Sequence, residues 1–234
     1  MFSDQCSVFS DQCSVFSDQC SVNNQEIEVK FYVKDLGKVE ARLREMCARL
    51  LRPRVHELNL RFDRPDGSLR REHRVLRLRQ GDDARLTYKG PSTIMEGAMS
   101  RREIEFSVGD FESAQQFLEA LDYQVVVMYE KYRTTYMIET SEVSKDLGGL
   151  SALIMLDELP YGNFVEIEGP DAASIHAAAD RLVLKWEAAI AGSYLALFER
   201  LCKARGFTFR ELSFINFADT RITANDLGVC PADS

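Results

Sequence analysis

The chain has 234 residues, 45% of them apolar, and a formal charge of -8 at pH 7, which describes one globular domain, with or without an extension, large enough to bury a sizeable core. The acidic balance speaks against a protein that grips nucleic acid through a basic surface. No apolar run reaches membrane-spanning length, and the acidic N-terminus lacks the basic n-region and apolar core of a signal peptide, so a cytoplasmic protein without membrane or nucleic-acid contacts is expected.

After Met1 the heptapeptide Phe-Ser-Asp-Gln-Cys-Ser-Val occurs three times unchanged, ending at Val22. Its Ser, Asp and Cys content makes a poor coiled coil, and residues 1–23 are expected to be disordered. Cys6, Cys13 and Cys20 are evenly spaced, unlike the paired cysteines of a zinc site. Cys47, Cys202 and Cys230 are scattered, as in a reducing compartment without structural disulfides.

Glu26-Ile27-Glu28-Val29-Lys30-Phe31 alternates charged and apolar residues. In an extended strand the two glutamates and the lysine share one face. Asp35 then caps an expected helix carrying Leu36, Val39, Leu43, Met46 and Leu50, stopped by Pro53. Residues 55–62 read as a strand, and Arg64-Pro65-Asp66-Gly67 as a turn. Residues 74–79 and 85–89 form a hairpin across Gly81, with Arg77, Arg79, Arg85 and Lys89 on its cationic face.

The theme recurs in the second half. Glu103 and Glu105 share one side of a strand over residues 102–106, opposite Ile104 and Phe106. A helix capped by Asp110 follows, with Phe111, Ala114, Phe117, Leu118 and Leu121 on its apolar face. A long strand over 124–139 places Lys131 and Arg133 together. Strands over 151–158 and 163–168, joined through Pro160-Tyr161-Gly162, carry Asp157 and then Glu166 and Glu168. From residue 171 the texture becomes helical over 171–184 and 193–204, then aromatic to Phe217: an extension expected to pack on the outside or to form a homodimer surface. His56, His73 and His176 share no metal-ligand spacing, and Trp186 is expected to pack in the cap.

Eight extended runs with paired like charges do not suit a solvent-facing sheet, because like charges opposite one another cost stability. Closed into a barrel with the charged faces inward, they line a polar tunnel wide enough for a small ligand. Arg and Lys suit phosphate oxygens, and clustered carboxylates suit hard cations such as Mg2+ or Mn2+. No Gly-rich phosphate loop is present, so side chains must hold the phosphates.

Glu26-Ile27-Glu28-Val29-Lys30 resembles the ExExK signature of the CYTH superfamily, the triphosphate tunnel metalloenzymes, which includes class IV adenylate cyclases, thiamine triphosphatases and inorganic triphosphatases. The resemblance continues in order through Arg77, Arg79, Lys89, Glu103, Glu105, Lys131, Arg133, Asp157, Glu166 and Glu168. It covers about residues 25–170, which sets the expected tunnel domain at 24–170 and the extension at 171–234. It implies an α+β fold: an eight-stranded antiparallel barrel with helices outside. Glu26, Glu28, Glu103, Glu105, Glu166 and Glu168 would hold Mg2+ or Mn2+. Lys30, Arg77, Arg79, Lys89, Lys131 and Arg133 would bind a small-molecule triphosphate, with Asp157, Lys30 and Arg133 as the catalytic residues. Asp157 would either orient a cation or help to activate the nucleophile. Hydrolysis of tripolyphosphate, a nucleoside triphosphate or thiamine triphosphate is expected. Cyclisation of ATP to cyclic AMP is the alternative, and a non-catalytic polyphosphate or nucleotide sensor a third reading.

Deleting residues 2–22 should change neither the melting temperature nor triphosphate turnover; a loss of either would make the repeat structural.

Overall fold

The computed structural model describes residues 25–140 and 150–234, so the repeat expected to be disordered lies outside the described residues. In chain order the elements are β1 (Gln25–Val33), α1 (Leu36–Glu45), β2 (Arg49–Asp63), α2 (Ser68–Arg71), β3 (Val75–Gln80), β4 (Ala84–Met95) and β5 (Ala98–Val108). There follow α3 (Phe111–Ala120), β6 (Gln124–Thr140), β7 (Leu150–Leu159), β8 (Gly162–Glu168) and α4 (Ala172–Arg181). The C-terminal part adds β9 (Ala189–Ile190), α5 (Tyr194–Arg205), β10 (Glu211–Leu212) and α6 (Ala224–Leu227).

Strands β1 to β8 close into an antiparallel ring in the order β6-β2-β3-β4-β5-β1-β8-β7, with β7 returning to β6. Closure leaves these strands no free edge and divides their side chains into an inner and an outer set. The outer set is apolar. Val29, Phe31 and Val33 of β1 join Ile154 and Ile167 beneath α1 and α4, while Leu60, Phe62 and Leu78 lie beneath Phe111 and Leu118 of α3. Hydrophobic burial therefore sits between ring and helices, and the inside is left to charged groups.

The helix starts follow the sequence. Asp35 and Asp110 accept hydrogen bonds from the backbone N–H groups of Lys38 and Ser113, satisfying first-turn donors that the helix itself cannot pair. The first helix is shorter than its apolar spacing predicts. It ends at Glu45, Cys47 turns to φ 53, and Leu50 enters β2 opposite Tyr136, 49% exposed. Phe117 of α3 and Leu121 just after it are 62% and 52% exposed, because that helix meets the ring through its Phe111 and Leu118 face.

The extension is not purely helical. β9 pairs with β1, and β10 adds to β6 in parallel. Tyr194, Leu197, Phe198 and Leu201 of α5 pack with Leu159, Tyr161 and Phe164. The chain end returns to β1: Ala232 N–H donates to the Tyr32 carbonyl at 2.9 Å, and the Asp233 carboxylate accepts from the Lys34 and Asp35 N–H groups. At the β7–β8 turn, Gly162 has φ 149 and a Cβ there would lie 2.8 Å from the Tyr32 ring, a place for glycine alone. Among the described residues no helix is long and apolar enough to cross a membrane.

Phe164 joins ring and extension, fully buried with the Tyr32, Tyr161 and Tyr194 rings 5.2 to 5.7 Å away. Phe164→Ala should lower unfolding stability by about 3–5 kcal/mol, read as a shift in the urea midpoint, and a shift of under about 1 kcal/mol would mean that the extension is only loosely attached.

Candidate active site

The strand register brings the alternating charges together inside the ring. Glu28 and Lys30 on β1 face Glu168 and Glu166 on β8. Arg133 on β6 faces Asp157 on β7, and Lys89 on β4 faces Glu103 on β5. The ion pairs then run through every strand of the ring without a break, as Glu103, Lys89, Glu26, Arg101, Glu28, Lys30, Glu166, Arg133, Asp157, Lys131, Glu57, Arg79, Glu105 and Arg77. Acid follows base at each step.

The contacts along this path are close. Lys30 Nζ donates to Glu28 Oε1 at 2.7 Å and lies 3.2 Å from Glu166 Oε2. Arg133 donates from Nε and Nη2 to the two oxygens of Asp157, both at 2.6 Å, the bidentate geometry that fixes a guanidinium. Asp157 also accepts from Lys131 Nζ at 3.2 Å and from the Tyr194 hydroxyl at 2.7 Å, and is wholly buried. With three donors upon it, Asp157 holds cations in place, the first of the two roles that its position suggests.

The predicted residues divide between two regions of the path. Glu26, Glu28, Glu103, Glu166 and Glu168 occupy the β5-β1-β8 wall. Glu105 stands apart, engaged by Arg77, Arg79, Arg85 and Thr87. Glu57, Asn59, Arg61, Arg101 and Tyr129 face inward although sequence reading did not single them out. Each shares the parity of an inward neighbour, as Arg101 does with Glu103 and Tyr129 with Lys131. Tyr194 carries no such signal, since it comes from α5 in the extension.

A cavity of about 380 Å³ occupies one end of the tunnel, with Lys30, Lys89, Lys131 and Arg133 in its wall. Residues 191–196 form its roof. The Tyr194 ring lies 5.3 Å from Lys30 Nζ and 5.5 Å from Lys131 Nζ, within cation–π range of both.

Burial disfavours every charge here, and neighbours decide the outcome. Against burial, Lys89 and Arg101 hold Glu26 far below the usual carboxylate range. Burial drives its partner Glu103 up to about 7, with the Glu26 charge adding to the effect. Burial, reinforced by Glu26 and Glu166, pushes Glu168 up to about 8. Burial opposes the charge on Lys30 too, yet Glu166 and Glu28 raise its pKa well above the usual lysine value.

A divalent cation fits the donor chemistry of this wall. The ligands are carboxylate oxygens, suited to a hard ion. Among the described residues Glu168 has no ion-pair partner, and burial, with the negative charges of Glu26 and Glu166 beside it, raises its pKa. The other acids are held by Lys30, Lys89 and Arg101, and among the described residues no three His, Cys, Asp or Glu side chains converge as a ready ligand set.

Residues 24–187 match the family profile of the CYTH domain. Solved structures similar to this chain include a Vibrio parahaemolyticus protein provisionally named an adenylate cyclase, with a TM-score of 0.58 and 21% identity over 74% of this chain and 97% of that one. A Pyrococcus horikoshii protein gives 0.54 and 26% over 74% and 98%. A Hippeastrum protein provisionally named an adenylyl cyclase, and described as having a dominant triphosphatase activity, gives 0.55 and 17% over 74% and 95%. No curated protein matches the chain.

The raised pKa of Glu168 sets a pH dependence. Folding favours its protonated form, so its stabilising contribution is full below an unfolded pKa of 4.5 and lost as pH rises through about 8. Glu26, Glu57 and Glu166, whose folded pKa values are depressed, are ionised in both states above about pH 5.5 and add no slope there. In EDTA the melting temperature should therefore fall between pH 5 and 8, with Glu103, raised to about 7, adding to the fall below pH 7, and Glu168→Gln should flatten the part that extends to pH 8. An unaltered slope would remove Glu168 from the account.

Proposed function

On the premise that the chain belongs to the CYTH family, we propose that it is a metal-dependent triphosphate hydrolase acting on tripolyphosphate, a nucleoside triphosphate or thiamine triphosphate. The observation that carries this reading is the unbroken alternation of acids and bases around the tunnel wall, with a cavity at one end of it. An anion-binding site alone would be better served without so many carboxylates. A phosphate chain accompanied by a divalent cation needs both sets.

In this reading Lys30, Lys89, Lys131, Arg77, Arg79 and Arg133 take up the phosphate oxygens. Their carboxylate partners hold them in place beforehand, so little reorganisation is needed when the ligand arrives. Asp157 positions Arg133 and Lys131 from behind. The Tyr194 hydroxyl shares that duty and its ring closes the roof, limiting water around the phosphates. Glu28, Glu166 and Glu168, with Glu26 and Glu103 beside them, would hold Mg2+ or Mn2+, which when bound supplies charge neutralisation and polarises a phosphoryl oxygen. Lys30 and Arg133, touching the terminal phosphoryl group, stabilise charge as its bond to the rest of the chain breaks and water adds to it. The triphosphatase activity described for the Hippeastrum protein of the same fold supports hydrolysis.

Purified protein given Mg2+ or Mn2+ should release orthophosphate from tripolyphosphate. Lys30→Ala and Arg133→Ala should each lower kcat/KM by about a hundredfold or more. Cyclic AMP with equal pyrophosphate from ATP would make the chain a cyclase instead; tight binding without any product would make it a sensor.

A further inference from the structure

We propose that Arg61 forms, beside Arg77, a subsite for a fourth phosphoryl group, so that the chain prefers a substrate ending in a tetraphosphate to one ending in a triphosphate. The proposal rests on the reading of the tunnel as a phosphate site and adds to it the length of the phosphate chain.

The charge balance singles out Arg61. The ion-pair path around the wall holds seven acids and seven bases and is neutral in formal charge. Arg61 also lines the cavity, and among the described residues it is the one lining cation without a carboxylate in ion-pair range. Every other Lys or Arg there has one, down to Arg70 at the mouth, which meets Glu199 at 2.8 Å. A largely buried, unpaired guanidinium is costly. Burial, the strongest influence on Arg61, does lower its pKa.

Placement points to phosphate as the missing partner. Arg61 and Arg77 are direct cross-strand partners on β2 and β3, and like charges so placed repel unless an anion lies between them. The β2–β6 register slips between Arg61 and Phe62, leaving Val126 unpaired; such a bulge re-aims a side chain beside a site. Arg77 belongs to the phosphate grip, so a group bridging it to Arg61 is contiguous with a bound triphosphate. The same cavity is lined by Arg70, His73 and Arg74, with Glu199 beside Arg70. An arginine pair suits a tetrahedral oxyanion, since each guanidinium offers a planar fork of donors.

The test is calorimetric binding to the full chain in EDTA, which separates binding from turnover. The probes are inorganic tripolyphosphate and tetraphosphate, and adenosine 5'-triphosphate and 5'-tetraphosphate. The wild type should bind at least one tetraphosphate about tenfold more tightly than its triphosphate counterpart, the gain expected of one charge-assisted contact. Arg61→Met should lower that affinity about tenfold and the triphosphate affinity far less. Arg61→Lys, which keeps the charge without the fork, should lie between and serves if the Met variant does not fold. A preference confined to the inorganic pair would identify free polyphosphate as the source, and one confined to the adenosine pair a nucleoside tetraphosphate. Either supports the fourth subsite. Equal binding of three and four phosphates would overturn it and leave the triphosphatase reading intact, as would an equal loss of both in Arg61→Met or no loss of either. Absence of binding by any probe would end the proposal, while orthophosphate release from tripolyphosphate with Mg2+ or Mn2+ decides the reading beneath it.

Discussion

Everything in this fold depends on keeping charge neutral along the inner wall of a closed ring. Fourteen titratable side chains form the ion-pair path of that interior, and each would cost several kcal/mol if buried alone as an ion. They are tolerated because acid and base alternate through all eight strands, so no charge lies far from its opposite. The alternation cannot be reached by any one strand. Glu28 and Lys30 come from β1, Glu166 from β8, Arg133 from β6 and Asp157 from β7, and only closure brings them into sequence.

The same constraint turns the usual distribution of residues inside out. Since the tunnel takes the polar faces, hydrophobic stabilisation comes from outside the ring, where α1, α4, α3 and α5 cover three separate apolar clusters. The extension is tied in for the same reason. Its helix α5 covers the apolar end of β7 and β8, and the residue at the start of that helix, Tyr194, reaches Asp157. One residue thus couples the packing of the extension to the positions of Arg133 and Lys131.

Much of this was legible because strands have a period of two. Once Glu26, Glu28 and Lys30 share a face, parity carries the assignment along β1, and the same reasoning found Arg77 with Arg79 and Lys131 with Arg133. It stopped short where a strand extends beyond its most obvious alternation. Arg101 lies one residue before the predicted start of its strand, and Glu57, Asn59 and Arg61 fall in a strand whose charged face was not traced. The spacing of Leu50 is helical, but the left-handed turn at Cys47 that ends α1 is not visible in an apolar pattern. Periodicity places Phe117 and Leu121 on an apolar face, but it does not say how much of that face a curved ring covers. Tyr194 could not be found at all, since nothing in α5 says which end of the tunnel it meets.

Glu168 and Arg61 stand outside the balanced path, on different walls. Glu168 on β8 has acids around it and holds its proton to about 8, whereas Arg61 on β2 faces Arg77 across the register. A wall that needed only to be stable would have paired or removed both groups. Instead each leaves local charge that a ligand of opposite sign relieves: a cation at the first and an anion at the second. A metal–polyphosphate complex carries both charges in one body. Binding it would compensate the two together while the balanced path between them exchanges partners without changing its net charge, so the tunnel wall itself carries the charge pattern of the proposed ligand.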